Sequence, residues 1–279
     1  MLTTTAPRRK ILITPPSRWP LPKIHTLWEA REILIRFGIR DITIRYRQTI
    51  LGITWVILQP LLAAGIFSVV FGKVAKLPSG GVSYLLFSYA GLLGWNFFNT
   101  IVSRSSTSLV ANSSLVSKVF FPRMLVPLST VCSALVDLSV AFCLLIFLWI
   151  SYGVYPGIAI LLFPIWLFMF MMLATGIGMV ASALMVKYRD INYIVPFALQ
   201  LLLYASPIAY SVSAVPHNYR LFFDINPITW LVADMRWSLL NQPAPSQMHI
   251  LLSVTVPIAV FMLGAMIFEK MERGFADFI

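Results

Sequence analysis

The sequence predicts an all-α integral membrane protein with six transmembrane helices, an N-terminal amphipathic interface helix and re-entrant helices near the outer surface. Hydrophobic residues make up 59% of its 279 positions and charged residues only 11%. That leaves too little polar surface to cover a water-soluble domain of this size. The long apolar segments do not alternate in polarity, which excludes a membrane β-barrel.

The six predicted spans follow from length and from charge. A bilayer core of roughly 30 Å is crossed by about 20 apolar residues in a helix. The segments that meet this requirement are 53–72, 84–102, 124–151, 158–185, 193–211 and 250–268. With the N-terminus inside, 17 of the 21 Lys and Arg residues fall on the cytoplasmic side, so we expect both termini there. Anionic lipid then accounts for the net charge of +11, and no nucleic acid is required.

The chain before the first span is expected to contain a tail and an interface helix. Residues 1–26 have no signal-peptide core and predict a cytoplasmic tail, and residues 27–279 form the membrane domain. The helical wheel places Glu29, Glu32, Arg36, Arg40 and Arg47 opposite Leu27, Ala30, Leu34 and Phe37. This amphipathic pattern predicts a helix along the membrane surface or a helix packed on another subunit's soluble domain. Gly38, Asp41 and Arg45 interrupt its apolar face, so we expect a bend before the span.

The first span begins abruptly after a charged triplet, in "RYRQTILGITWVILQPLL". Arg45 and Arg47 can reach lipid headgroups, with Tyr46 as an interfacial aromatic residue. Gln59 lies inside the apolar run, where an amide is costly unless it meets a partner or water. We therefore expect Gln59, and Gln200 in the fifth span, to point inward.

Aromatic rings, amides and hydroxyls recur on single faces of three predicted helices. These faces carry Trp55, Gln59 and Leu62, then Tyr84, Ser88, Gly91, Trp95 and Phe98, and finally Tyr193, Phe197, Gln200 and Tyr204. Such a surface suits a passage for a sugar-like molecule, because rings contact its C–H faces and polar groups bond its hydroxyls. Ordinary packing between helices is the alternative.

The loops on the two sides of the membrane carry different signals. On the inner side, Asn112 or Ser113 could cap a short helix through Val119, which either docks on a cytoplasmic partner or only connects two spans. The outer segment 206–245 predicts amphipathic helices dipping toward the bilayer, with Trp230, Ala233, Trp237 and Leu240 on one face and Asp234 and Arg236 away from it.

Residues that could carry chemistry are sparse. Asp137 is the one acid placed within a span, where it could serve transport, accept a hydrogen bond from a nearby Ser or be protonated. Cys132 and Cys143 are too far apart along a helix to pair, and the sequence offers no metal-ligand spacing. It also contains no phosphate-binding loop or nucleophile motif, so we expect a transport subunit rather than an enzyme.

Several ordered motifs resemble one family. The segments "RDITIRYRQTILGITWVILQPLL", "LVSKVFFPRMLVP", "KYRDINYIVPFALQLLLYASPIAY" and "INPITWLV" are similar to the permease subunits of bacterial ABC type-2 exporters for polysaccharides and polyol phosphates. That family exports O-antigen (the lipopolysaccharide glycan), capsule or teichoic acid. The likeness runs from about residue 27 to the C-terminus and does not distinguish among these cargoes.

The resemblance implies a homodimer in the bacterial cytoplasmic membrane, paired with two ATPase chains and exporting a lipid-linked glycan. ATP and Mg would be bound by the partner chains, and no cofactor by this one. The coupling helix would be Ser114, Leu115, Val116, Ser117, Lys118, Val119, Phe120 and Phe121. The cytoplasmic entrance would be Arg45, Tyr46 and Arg47. The channel lining would include Trp55, Gln59, Tyr84, Trp95, Phe197, Gln200 and Tyr204. Outer gate helices within Val215–Leu240 would present Asn226, Pro227, Trp230 and Trp237.

Two alternatives remain at this point. A drug or small-lipid exporter of the same superfamily would have a less polar lining. An intramembrane transferase acting on lipid-linked sugars would need converging acids or a metal site.

Overall fold

The computed structural model describes residues 24–47 and 54–275, and within these ranges every regular element is a helix. The expected tail therefore falls largely outside the described residues. The α-helices are α1 (Ile24–Glu29), α2 (Arg31–Arg47), α3 (Thr54–Phe67), α4 (Tyr84–Ala111), α5 (Ser113–Val116), α6 (Leu125–Tyr152), α7 (Phe163–Lys187), α8 (Ile191–Tyr204), α9 (Arg220–Ile225), α10 (Pro227–Leu240) and α11 (Gln247–Glu272). A π-helix, Ser68–Val74, extends α3, and a 3₁₀-helix, Ile158–Leu162, leads into α7.

Five of the described helices are long and apolar enough to cross a membrane: Thr54–Val74, Tyr84–Ala111, Leu125–Tyr152, Ile158–Lys187 and Gln247–Glu272. The predicted span 193–211 differs, since its helix, α8, has only 14 residues and ends at Tyr204. The chain then turns through an irregular segment that ends before the short helices leading to α10. The structure thus supports a multi-pass membrane protein but does not confirm six spans.

The central helix of the bundle is α4. In its most apolar 18-residue stretch, 78% of the residues are buried. It packs against α6, α7 and α10, while α11 lies against α7. Small residues permit these close approaches. A side chain at Gly264 would lie 2.3 Å from the Gly176 carbonyl oxygen, so α7 and α11 meet backbone to backbone there.

The helix α2, predicted to lie at the membrane interface, packs along α6. It is continuous from Arg31 to Arg47, and the expected bend before the span stays a prediction, since residues 48–53 lie outside the described residues. Gly38 allows close packing, because a side chain there would come within 2.7 Å of Cys132 Cβ on α6. The side chains of Ile35, Ile39 and Ile44 on α2 are exposed, together with those of Glu32, Arg36 and Arg47.

Candidate functional site

The helix α8 presents an exposed aromatic and amide face. Tyr193, Phe197, Gln200 and Tyr204 are all exposed, and the two tyrosines and Phe197 lie between 63% and 77% exposed. Only Leu199 in this helix is buried, and it anchors α8 against the core formed with α4 and α7. A polar and aromatic face free of intramolecular packing is available to line a passage or to meet a second chain.

A second exposed face runs along α3. Trp55, Gln59 and Leu62 are exposed, which agrees with their predicted common face. Pro60, inside the same helix, is buried against the rest of the chain. The amide of Gln59 therefore lies at the border between the open face and the protein interior.

The predicted face on α4 is covered within the chain. The Tyr84 hydroxyl donates a hydrogen bond to the Ala209 carbonyl oxygen at 2.7 Å. The Trp95 ring is buried and lies 5.7 Å from the Phe98 ring, centroid to centroid. Ser88 and Gly91 on this face are buried too. Packing within the chain therefore accounts for Tyr84 and Trp95.

The end of α2 meets α6 through charged groups. Asp137 accepts hydrogen bonds from the Arg45 guanidinium and from the Tyr46 hydroxyl. Burial, followed by the hydrogen bond to Asp137, raises the pKa of Tyr46 to about 12, so this hydroxyl stays protonated and donates. Nearby, Arg104 Nη1 donates to Ser133 Oγ at 2.6 Å. Arg47 remains exposed. The Asp137 carboxylate thus binds a guanidinium and a phenol. The sequence had suggested a neighbouring Ser as its partner.

Beside the Arg45–Asp137 pair lies a cavity of about 290 Å³ between α3, α4 and α6. Its polar lining consists of Arg45, Gln59, Asn96, Asn99, Thr100 and Asp137. Sequence reasoning selected Gln59, Arg45 and Asp137 separately but missed the three α4 residues. Their spacing of three and four was the available signal, because it places them on one helical face in "WNFFNT".

The helix in the inner loop is shorter than predicted. Hydrogen bonds and buried side chains fix this loop to the rest of the chain. Here α5 ends at Val116, and the side chain of Asn112 does not cap it. That amide instead donates to the Ser108 carbonyl oxygen at 2.8 Å and accepts from Arg40 Nη2 at 2.6 Å. Val116 and Phe121 are buried, whereas Phe120 is fully exposed, at 106% of its reference area. The loop therefore projects one free ring from a firmly packed base.

The base of this loop is continuous with the interface helix. The Phe121 ring lies 5.6 Å from the Phe37 ring of α2, centroid to centroid. Arg40, whose guanidinium lies over Phe37, also binds Asp41 at 3.0 Å. The loop and α2 are therefore joined by an aromatic contact and by the hydrogen bond from Arg40 to Asn112.

Of the outer helices, α10 is buried more completely than an amphipathic pattern predicts, whereas α9 has no buried residue. Asn226 caps α10 by accepting from the Ile228 amide at 3.0 Å, with Pro227 in the first turn. Trp230 is buried beside His249, and Trp237 is half-buried beside Trp166. Since Asp234 and Arg236 are buried as well, the expected division of α10 into a polar and an apolar face is wrong.

The Arg236 side chain of α10 is buried among backbone carbonyl groups. Its guanidinium donates to the carbonyl oxygens of Pro207 at 2.9 Å, Ile208 at 2.6 Å and Tyr210 at 3.3 Å. It also lies 3.7 Å above the Phe87 ring. The irregular segment after α8 exposes backbone carbonyls that no helix satisfies, and the buried cation supplies their donors.

The buried Asp234 carboxylate, unlike the Arg236 guanidinium, has no hydrogen bonds within the described part of the chain that compensate for its loss of water. Its side chain is 0% exposed, and neither carboxylate oxygen has a hydrogen-bond partner among the described residues. Burial raises its pKa to about 6, and the nearby Ser253 hydroxyl acts in the opposite direction. Within residues 24–47 and 54–275, no three His, Cys, Asp or Glu side chains are grouped as metal ligands.

Comparison with known proteins identifies the family. The ABC-2 type transporter family profile matches residues 35–240, and the chain belongs to this family of membrane transport proteins. It is 25% identical to the O-antigen export system permease protein RfbA of Myxococcus xanthus, over 92% of this chain and 98% of that protein. It is 26% identical to an O-antigen export system permease protein RfbA of Klebsiella pneumoniae, over 89% and 95%. The polysialic acid transport protein KpsM of Escherichia coli is 23% identical, over 70% and 76%.

Proposed function

We propose that this chain is the permease subunit of an ATP-driven exporter that moves a lipid-linked polysaccharide across the bacterial cytoplasmic membrane. Three relatives named for O-antigen export or polysialic acid transport support this cargo class. The apolar spanning helices support the membrane location. Both termini lie in the cytoplasm in this proposal, which the distribution of Lys and Arg supports. An even number of crossings then requires α8 and the segment after it to make the sixth.

The observation that carries the proposal is the exposed face of α8. Phe197, Gln200 and Tyr204 combine rings with hydrogen-bonding groups, and no packed helix of the described chain covers them. An amide and a phenol facing hydrocarbon would be costly, so this face requires water, cargo or another chain. Two copies of the permease, apposed through α3 and α8, would surround a passage with these faces and with Trp55 and Gln59.

The energy for export comes from partner chains in this proposal. Two ATP-binding subunits, carrying ATP and Mg, would contact the inner loop around Phe120. An exposed ring on an anchored base is a typical interface anchor. The contact of Phe121 with Phe37 then connects the loop to α2 at the entrance.

The proposal is tested in the bacterium that encodes the chain. Deleting the gene should abolish surface polysaccharide and leave lipid-linked glycan inside the cell, and a plasmid copy should restore export. Gln200→Leu should restore it poorly although the protein reaches the membrane. The matched control is Leu263→Ala, which alters an exposed apolar residue on α11 and should restore export fully. Normal surface polysaccharide in the deletion strain would refute the function.

A further inference from the structure

Unpaired amides line the cavity between α3, α4 and α6. Asn96 and Asn99 lie one helical turn apart on α4, and Gln59 contributes from α3. Among residues 24–47 and 54–275, no group forms a hydrogen bond with these amides or with the Thr100 hydroxyl. Asn96, Asn99 and Thr100 are half-buried and Gln59 lies at the open rim, and a polar group that faces apolar surroundings without a partner is costly. The cavity is therefore built for an occupant that forms hydrogen bonds.

The charges around the cavity favour a neutral occupant. Arg45 and Asp137 both reach its wall, but they neutralise each other. The Asp137 carboxylate would repel an anion such as a phosphate, and Arg104 nearby is engaged with Ser133. Side-chain amides offer donors and acceptors together, which matches hydroxyl groups better than it matches an acceptor-only anion.

The remaining walls and the size define the occupant further. Apolar surfaces of Pro60, Leu93 and Phe97 face the same space, so the lining alternates hydrogen-bonding and hydrocarbon groups. A volume of about 290 Å³ lies at the lower limit of small-molecule sites, which typically measure about 300–1,000 Å³. One sugar ring matches this combination of size, hydroxyl groups and C–H faces, whereas an oligosaccharide chain is too large.

We propose that this cavity, here called the amide cavity, binds a single neutral glycosyl unit. The inference rests on the proposed function, since the exported polysaccharide would supply the unit. Its place beside Arg45, at the end of α2, puts the site next to the predicted cytoplasmic entrance. The amide cavity would thus recognise sugar within one subunit, apart from the α8 face that two subunits would share.

The test uses the full permease bound to its ATPase subunits in lipid nanodiscs. Methyl glycosides of neutral hexoses, 6-deoxyhexoses and N-acetylhexosamines serve as probes, and saturation-transfer NMR reports their binding. At least one class should bind the native complex. Binding should weaken at least tenfold in Asn96→Leu/Asn99→Leu, which removes two amides. Ala63→Leu should have the same effect by filling the cavity while keeping every amide. The control Leu263→Ala should bind as the native complex does.

The outcomes separate this inference from the proposed function. Absence of binding by every glycoside class to the native complex would overturn the amide cavity as a sugar site. Equal binding by the native complex and the Ala63→Leu variant would overturn it as well, even if the double variant failed to fold. Glycoside binding that is lost on filling the cavity would support the site. If the deletion strain nevertheless kept its surface polysaccharide, the proposed export function alone would fail.

Discussion

The Arg45 guanidinium donates a hydrogen bond to the Asp137 carboxylate and so joins the end of the interface helix to the middle of α6. The side chains are 33% and 14% exposed, which places the pair between a surface and a buried ion pair. It closes one wall of the amide cavity. The contact therefore ties the position of α2 to the shape of the interior.

Asp137→Asn should destabilise the protein, because it leaves Arg45 without its counter-charge. We expect a loss of about 1–3 kcal/mol, below the range for a fully buried pair. Arg45→Gln should lose a similar amount, and the double variant should lose less than the sum of the two. Thermal unfolding in detergent measures each loss, with the exposed Arg47→Gln as a control that should be near neutral. Additive losses would mean that the pair is not energetically coupled.

The inner loop gives a prediction in which stability and partner binding separate. Phe120→Ala should leave thermal unfolding unchanged, because its ring is fully exposed. It should weaken co-purification of the ATPase subunits at least tenfold, as expected for an interface anchor. Phe121→Ala should instead destabilise the permease by about 3 kcal/mol, through loss of a buried ring. Unchanged ATPase binding in Phe120→Ala would argue against the loop as the docking point.

The buried position of Val116 changes how this loop should be tested. From sequence alone, Val116→Asp is the natural variant for uncoupling the ATPase. Since Val116 is only 3% exposed, that change would place a charge in the core and disturb folding. The exposed neighbour Phe120 isolates docking from stability.

The contact between α4 and the segment after α8 makes a packing prediction. A methyl group at Gly91 would lie 2.5 Å from the Ile208 carbonyl oxygen and 2.8 Å from Arg236 Nη2. Gly91→Ala should therefore cost about 1–3 kcal/mol through overpacking. The matched control is Gly65→Ala on α3, where no atom lies within 4 Å of the added carbon. That change should stabilise the protein by up to about 1 kcal/mol, through helix propensity. Equal melting temperatures for both variants would contradict the close approach.

Asp234 predicts a pH dependence of stability. Burial raises its pKa from 3.8 to about 6 in the folded protein, so the folded state binds a proton more tightly than the unfolded chain does. Stability should consequently fall as the pH rises through this interval, by on the order of 2–3 kcal/mol. Asp234→Asn should remove this decline and be the more stable form at neutral pH. Thermal unfolding at several pH values measures the difference, and parallel profiles for the two proteins would refute it.

Sequence patterns predicted the membrane class and the grouping of residues on common helical faces, because both depend on local composition. Apolar length located five spanning helices, and helical spacing grouped Trp55 with Gln59 and Phe197 with Gln200 and Tyr204. These faces are exposed in the structure. The expectation that Gln59 and Gln200 point inward stays a prediction, since both are exposed on the single chain. The sequence was sufficient where a prediction depended only on the apolar length of a segment or on the helical periodicity of a face.

Tertiary contacts determined what the sequence did not predict. Hydropathy predicted a continuous span over 193–211 because it depends on composition alone. It does not detect that α8 ends at Tyr204, after which the backbone carbonyls have no helical partners. From its charge, Arg236 was expected on the outer surface. The carbonyl oxygens of Pro207 and Ile208 instead bind its guanidinium in the interior. Tyr84 and Trp95 share a regular face, but α10 and the segment before it cover that side of α4.

Water access to the α8 face tests the central claim most directly. In a Cys132→Ala/Cys143→Ala background, Gln200→Cys and Leu263→Cys would be exposed to a charged, membrane-impermeant thiol reagent in the assembled exporter. A thiol reacts as the thiolate, which requires water. We predict rapid modification for Gln200→Cys and very slow modification for Leu263→Cys, whose position is exposed on the apolar helix α11. Equally slow modification of both would show that Gln200 faces a dry environment and would contradict the proposed passage.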